Sequence, residues 1–283
     1  MYHAKELGRN QCCFYSPSLG AAASERLDLE RDLRAALSAD QFELHYQPTI
    51  RALDGTVIGV EALLRWNRTG HGLVPPDRFI PLAEQLGLIV QIGDWVIQQA
   101  CQQMAYWRDQ GLAIPIAVNL SPAQLSHPSL IEHVARFTQQ FGIQPGMLHM
   151  EVTESMMLSD PEEAIRHLQD LRDLGVDLSI DDFGTGYSSM AYLKRLPVNK
   201  IKLDRSFIQQ IASDSREADL CAGIIALAHK LGLAVVAEGV ETREQQDILA
   251  AMECDIFQGY LFSKPLPSDE ATRFLRCSSN NPV

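Results

Sequence analysis

Two adjacent carboxylates end a short apolar run in "LSIDDFGTGYSS" (residues 178–189), and similar polar residues recur along the chain. Glu61 stands in "EALLR", Asn119 ends "IPIAVN", Glu151 opens "EVTES" and Lys202 lies in "KIKLD". Glu238 follows "LAVVA" and Gln258 follows "DIF". Glu61, Asn119, Glu151, Asp181, Asp182 and Glu238 offer only oxygen ligands, and no histidine or cysteine cluster competes with them. Such a set suits hard divalent cations, Mg²⁺ or Mn²⁺, better than zinc or copper, which favour nitrogen and sulfur. Carboxylates gathered in one pocket would not all ionise without cations between them. Asp181 and Asp182, consecutive where strand alternation breaks, would reach two ions about 3.5–4 Å apart, one carboxylate acting as the bridge. Two ions held in that way suit phosphodiester hydrolysis, because they activate a water and stabilise charge on the phosphoryl oxygens.

The elements that must gather these residues are legible as an alternation. Strand-like runs are "FELHYQPTI", "VIGVEALLRW", "IPIAVNLS", "MLHMEVTES", "VDLSIDDFG", "NKIKLDRS", "LAVVAEGVE" and "DIFQGYLFS". Between most of them lie helix-length stretches such as "SLIEHVARFTQQFG", several ending in glycine where a C′ residue is wanted. At this length the pattern predicts an α/β fold, a (β/α)8 TIM barrel. Only "RALDG" separates the first two runs, too short for a helical crossover. The first strand is therefore expected to lie antiparallel to the second in a hairpin, making the barrel irregular.

Each polar residue falls within, or at the C-terminal side of, its apolar run, and in such a barrel those ends meet at one mouth. A single carboxylate at a strand end usually caps the next helix. Seven strands in succession are harder to assign to capping, and convergence is the better reading. Alternation places Lys200 and Asp204 on the face of Lys202, and Leu63 and Arg65 on that of Glu61. Lys202 would orient a water or neutralise charge in a transition state; the other reading is a structural ion pair with Glu151, Asp181 or Glu238. Arg65 would fork onto a phosphate, or pair with a carboxylate at the rim. His149, one level below Glu151, reads as a polar barrel filler. Trp66, Trp95 and Trp107 read as helix packing, with Trp66 a candidate to line the cleft.

Composition sets wider limits. The 283 residues are 46% hydrophobic and 21% charged, as in an ordinary globular protein, and the net charge of −12 argues against a broad grip on a nucleic-acid polymer. No uncharged apolar run reaches the roughly 18–20 residues of a membrane span, and the N-terminus lacks the apolar core of a secretory signal. The six cysteines form no metal-like cluster, which fits a reducing cytoplasm. Residues 1–20 end in the Ser/Pro/Gly/Ala stretch "YSPSLGAAAS", read as a linker. From about Ser24, Leu27, Leu29, Leu33 and Leu37 predict a first helix.

On these residues the chain, from about 25 to 275, resembles an EAL domain, the cyclic-di-GMP phosphodiesterase family. The resemblance runs through "YQP" (46–48), "EALLRW" (61–66), "VNLS" (118–121), "EVTES" (151–155) and "DDFGTGYSS" (181–189). It continues through "KIKLD" (200–204), "AEGVE" (237–241), "QGY" (258–260) and "SKP" (263–265). It implies an irregular TIM barrel that hydrolyses cyclic-di-GMP to linear pGpG with two Mg²⁺ or Mn²⁺ ions. By that resemblance Glu61, Asn119, Glu151, Asp181, Asp182 and Glu238 would be metal ligands. Catalysis would rest on Glu61, Asp182, Lys202, Glu238 and Gln258, and substrate contacts on Gln47, Leu63, Leu64 and Arg65. Glu154 would anchor the loop after Asp182, and a homodimer is implied. The alternative is a cyclic-di-GMP receptor that binds without turnover.

The opening "MYHAKELGRNQCCFY" resembles the end of a GGDEF (diguanylate cyclase-like) domain. The expected organisation is a GGDEF-like tail plus linker over 1–20 and the EAL barrel over 21–283. The whole would be a piece of a longer, cytoplasmic or membrane-tethered protein with upstream GGDEF or sensor domains.

Overall fold

The computed structural model describes residues 17–157, 160–184 and 193–278. Its strands are β1 (Phe42–Arg51), β2 (Val57–Arg68), β3 (Gly72–Val74), β4 (Ile116–Asn119) and β5 (Leu148–Thr153). They continue with β6 (Asp177–Phe183), β7 (Lys200–Leu203), β8 (Ala234–Ala237), β9 (Ile256–Phe257) and β10 (Leu266–Pro267). The helices are α1 (Pro17–Ala36), α2 (Pro76–Gln85), α3 (Ile89–Asp109), α4 (Pro122–Leu125) and α5 (Leu130–Phe141). After them come α6 (Pro161–Asp173), α7 (Arg205–Gln209), α8 (Ser215–Lys230), α9 (Arg243–Ala251) and α10 (Ser268–Ser278). The chain divides into two units, one running to Phe42 and resuming at Trp66–Leu88, the other made of Glu43–Arg65 and Ile89–Val283.

In the smaller unit, α1 begins at Pro17 rather than near Ser24, so most of the Ser/Pro/Gly/Ala stretch is helical. Proline suits a first helical turn and alanine is the strongest helix former. The buried stripe of α1 is Leu29, Leu33 and Ala36, whereas Leu27 is 65% exposed and outside the expected apolar face. Asp32 on this helix accepts from Arg68 Nε and Nη2 at 2.9 and 2.6 Å. The short β3, which shows no clear alternation in the sequence, pairs with the end of β2. Trp66 is fully buried, its ring 6.2 Å from Phe42 and 5.7 Å from Phe79, with its indole N–H donating to Gln41 Oε1 at 2.9 Å. Trp66 therefore belongs to an aromatic core and lines no cleft. The opening segment that resembles a GGDEF end, residues 1–15, lies outside the described residues.

The larger unit carries the expected barrel. Its strands follow the order β1, β9, β8, β7, β6, β5, β4, β2, and a β1–β2 pairing closes the ring. All neighbours from β2 and β4 round to β8 and β9 are parallel, while β1 is antiparallel to β9. The hairpin is the cause: Arg51 N–H donates to Thr56 O at 2.8 Å and Gly55 N–H to Arg51 O at 3.0 Å, with Gly55 at φ 70°. A second short strand without clear alternation, β10, pairs with β1. The outward-facing strand residues Ile116, Val118, Met150, Val152, Ile180, Ile201, Val235 and Phe257 are all buried. Each hydrophobic side chain taken from water in this way contributes roughly 1.5–3 kcal/mol.

Helices are seated by specific contacts. Ser121 and Gln124 form a capping box at α4, as Thr242 and Gln245 do at α9. Gly142 adopts the left-handed conformation that ends α5, and Arg108 donates to its carbonyl at 3.0 Å. Trp107 donates to Thr272 Oγ1 at 2.8 Å and packs edge-on against Tyr46.

Gly93 on α3 leaves room for the buried Gln124 amide: a Cβ there would lie 1.7 Å from Gln124 Nε2 and 2.1 Å from its Cδ. Gly93→Ala should therefore expel Gln124 and break the α4 capping box. A loss of about 1–3 kcal/mol is expected in chemical denaturation, where a neutral effect would contradict this packing.

Candidate active site

Because the barrel strands β2 and β4 to β9 are parallel, their C-terminal ends share one end of the barrel, and the polar residues arrive there together. Glu61 from β2, Glu151 from β5, Asp181 from β6, Lys202 from β7 and Gln258 after β9 are all buried. Lys202 is the centre. Its Nζ lies 2.6 Å from Glu238 Oε1, 3.3 Å from Glu61 Oε2 and 3.3 Å from Asp181 Oδ1, and it also contacts Glu151. An ammonium has three hydrogens, so four carboxylates cannot all be served at once. Asn119 Nδ2 donates to Glu61 Oε1 at 2.7 Å, and Gln258 Nε2 donates to Glu61 Oε2 at 2.6 Å.

The proton affinities follow from this crowding. Burial opposes ionisation of Glu61, but Lys202 and the two amides outweigh it and hold its pKa below the usual range. Burial exceeds the pull of Lys202 at Glu151, and repulsion from Glu61, Asp181 and Glu238 adds to it, so its pKa stands well above normal. Glu238 is pushed up to about 7, by burial first and then by Asp181 and Glu61 against Lys202. Asp182 is raised by partial burial and by Asp181. Burial disfavours the charge on Lys202, yet the surrounding carboxylates keep it firmly protonated. The pocket thus holds more negative charge than its one lysine can neutralise.

That surplus has a shape. β6 shifts register against β7 between Ile180 and Phe183, and Asp182 sits at φ +52°, in the left-handed region. A regular strand sends neighbouring side chains to opposite faces; the irregularity removes that alternation. Asp182 N–H donates to Asp181 Oδ1 at 3.0 Å. Asp181, Asp182 and Glu238 each present an oxygen within 4.8 Å of the others. An all-oxygen set of this span, with the pKa values of Asp182 and Glu238 raised, fits a hard divalent cation.

Other expected site residues lie around this ring. Leu63, Leu64 and Arg65 are half-buried on β2, and Arg65 Nη1 donates to the carbonyl of Leu64 at 2.9 Å. Among the described residues Arg65 forms no ion pair. Gln47 is buried behind Gln258: its Nε2 donates to Ser263 O at 3.1 Å and its Oε1 accepts from Gln258 at 3.3 Å. Glu154 opens a 3-10 turn (Glu154–Met157) directly after β5. The loop it is expected to anchor, over 185–192 and including Gly186, lies outside the described residues. Asp204, on the expected face of Lys202, instead caps α7 by accepting from Ser206 N–H at 3.0 Å.

Gly259 and Lys200 shape the site without standing out as site residues in the sequence. A Cβ at Gly259 would fall 2.1 Å from Val240 O, so only glycine lets the backbone after Gln258 approach the segment after Glu238. Val240 N–H donates to Gln258 O at 3.1 Å across that approach. The glycine in "QGY" is the available signal. Below the ring, Lys200 Nζ lies 3.1 Å from His149 Nδ1, while His149 Nε2 donates to Gly146 O at 3.0 Å. Burial, then Lys200, pushes His149 down to about 4, so the imidazole is neutral and accepts from the lysine. His149 is thus the barrel filler that its position implies.

A family model described as the EAL domain matches residues 30–265. The bifunctional diguanylate cyclase/cyclic di-GMP phosphodiesterase MucR of Pseudomonas aeruginosa is 49% identical over 95% of this chain and 40% of its own length. The cyclic di-GMP phosphodiesterase NbdA of the same organism is 46% identical over 98% of this chain and 35% of its own. The chain therefore spans well under half the length of these two relatives. The solved structure of the PaMucR phosphodiesterase in complex with c-di-GMP aligns with a TM-score of 0.83 at 48% identity, covering 86% of this chain and 99% of that one. With the barrel, the acidic ring and this match over most of its length, the chain belongs to the EAL domain family.

Proposed function

We propose that this chain hydrolyses cyclic-di-GMP to linear pGpG, using Mg²⁺ or Mn²⁺ held at the acidic end of its barrel. The observation that carries the proposal is the surplus of carboxylates around Lys202, with Asp181, Asp182 and Glu238 within reach of one another. The phosphodiesterase activity named for MucR and NbdA supports the choice of substrate, and the c-di-GMP complex of PaMucR supports binding. A receptor that only bound the dinucleotide would gain nothing from unneutralised carboxylates at this place.

In this reading Asp181, Asp182 and Glu238, with Glu61, Asn119 and Glu151, hold two cations. When bound, these supply an activated water and positive charge for the phosphoryl oxygens. Lys202 keeps its proton and orients the attacking water from below the acidic residues. Asn119 and Gln258 fix both oxygens of Glu61, so that ligand enters the site already oriented. Arg65, Leu63 and Leu64 on the same strand, and Gln47 through Gln258, complete the substrate side of the proposal. Residues 1–20 form the tail of a GGDEF-like domain, residues 21–283 the hydrolase, and the working assembly is a homodimer.

Purified chain incubated with cyclic-di-GMP and Mg²⁺ should release pGpG, and Glu61→Ala should lower kcat/KM by roughly a hundredfold or more while leaving the circular dichroism spectrum unchanged. A folded, cation-loaded sample giving no pGpG would sink the proposal.

The raised pKa of Glu238, about 7, adds a pH dependence. Below that value the carboxyl is protonated and a cation must displace the proton; above it the carboxylate is free. Affinity for Mn²⁺ should therefore rise from pH 6 to pH 8, with about one proton released per ion bound at the lower pH. Calorimetry in two buffers of different ionisation enthalpy reads that proton, and an affinity flat across this range would contradict the assignment.

A further inference from the structure

One layer below the acidic ring, Val236 and Ile256 fill part of the barrel interior, and small or polar residues wall the remainder. Gly59, Ala117 and Ser179 sit at this level beside Thr49, Lys200 and His149, and Glu151, Lys202 and Gln258 line the same cavity from the ring. A space of about 40 Å³ is open to the centres of water molecules, against the roughly 10–15 Å³ that a single water requires. Barrels of this fold normally fill such layers with branched aliphatic side chains.

The walls carry unmet hydrogen-bonding capacity of both signs. Gln258 is 4% exposed and its amide orientation is fixed, because Nε2 donates to Glu61 and Gln47. Its Oε1 is buried and has no hydrogen-bond partner among the described residues. Lys200 has three N–H donors; His149 takes one, and among the described residues no other hydrogen bond of Lys200 is formed. The Thr49 hydroxyl would lie 3.3 Å from a Cβ at Gly59, so it faces the space that this glycine leaves. A buried acceptor left bare costs about 1–3 kcal/mol, and hydrogen bonds to water remove that cost. With Lys200 and Lys202 on one side and Glu151 on another, the walls favour neither a cation nor an anion. The ligand of matching chemistry is neutral, small, and both donor and acceptor.

We propose that this chamber is a built water site, and that its water, bridging Lys200 and Thr49 to Gln258 Oε1, holds Gln258 and through it Glu61 in position. Thr49 and Lys200 are then positioning residues that act from beneath the ring, through water, without touching substrate. The crystallographic part of this proposal is independent of the hydrolytic reading, and the kinetic part rests on it.

Crystals of the chain at a resolution that shows ordered water should carry water within hydrogen-bond distance of Gln258 Oε1 and of Lys200 Nζ or the Thr49 hydroxyl. A dry chamber, or a Gln258 Oε1 bonded only to groups on the acidic side, overturns the proposal. Thr49→Val removes one polar partner at nearly constant volume; its crystals should lose the bridging water and show the Gln258 amide turned from Glu61. In the same variant kcat should fall roughly three- to tenfold with KM unchanged, and Thr49→Ser should restore both geometry and rate. A displaced water with Gln258 unmoved and kcat intact would reject the positioning role. If the unaltered chain does not turn over cyclic-di-GMP, the hydrolytic reading fails alone, and the crystals still decide whether the chamber holds water.

Discussion

A buried ammonium facing four carboxylates organises this molecule. Lys202 is 2% exposed, and removing such a charge from water costs several kcal/mol unless partners replace the solvent. Glu61, Glu151, Asp181 and Glu238 replace it more than fully, and their mutual repulsion then has to be contained. The containment is done by neighbours. Asn119 and Gln258 neutralise part of the load on Glu61 by donating to both its oxygens, whereas Glu151 and Glu238 respond by binding protons more tightly. The parallel barrel makes this possible, because each strand delivers one side chain to the same place from a different direction.

The outer edge of that ring depends on a departure from regular structure. An ideal strand would turn either Asp181 or Asp182 away, since its side chains alternate. The register shift at the end of β6 and the positive φ of Asp182 bring both to the open end. A non-glycine residue in such a conformation costs on the order of 1 kcal/mol or more, and strain of this kind is characteristic of functional sites. Gly259 has the complementary task on the far side, where the absence of a Cβ lets the Gln258 and Glu238 segments approach and hydrogen-bond. One position accepts strain to present a carboxylate; the other avoids it by having no side chain.

Beneath the ring the interior changes character within one layer. The acidic ring above gives way to Gly59, Ala117, Ser179, Val236, Ile256 and the Lys200–His149 pair below. His149 is neutral and accepts from Lys200, so the lysine alone carries the charge of this pair. Most of the hydrophobic contribution comes from outside the ring of strands, where apolar side chains pack beneath the helices. The polar chemistry is thus concentrated at the barrel mouth, while Val236 and Ile256 below it and the helix-facing side chains supply apolar packing, a division that follows from strand alternation.

Much of this architecture is legible in the order of the residues. Apolar runs broken by helix-length segments imply the barrel, a five-residue connection implies the antiparallel first strand, and one polar residue per run implies the ring. These are local properties of the chain: period, length and where a run stops. Which atom meets which is not local. That Lys202 faces four carboxylates and that Gln47 stands behind Gln258 both depend on the register between strands distant in sequence. The burial of Trp66 with Phe42 and Phe79, and the chamber below the ring, are likewise sums over distant segments. The identity of the residues that reach the barrel mouth is therefore a property of the chain alone, because strand direction and side-chain alternation are written locally. How their charges are shared is a property of the folded molecule, because electrostatics in a buried pocket turns on distances of a few ångströms between residues far apart in the chain.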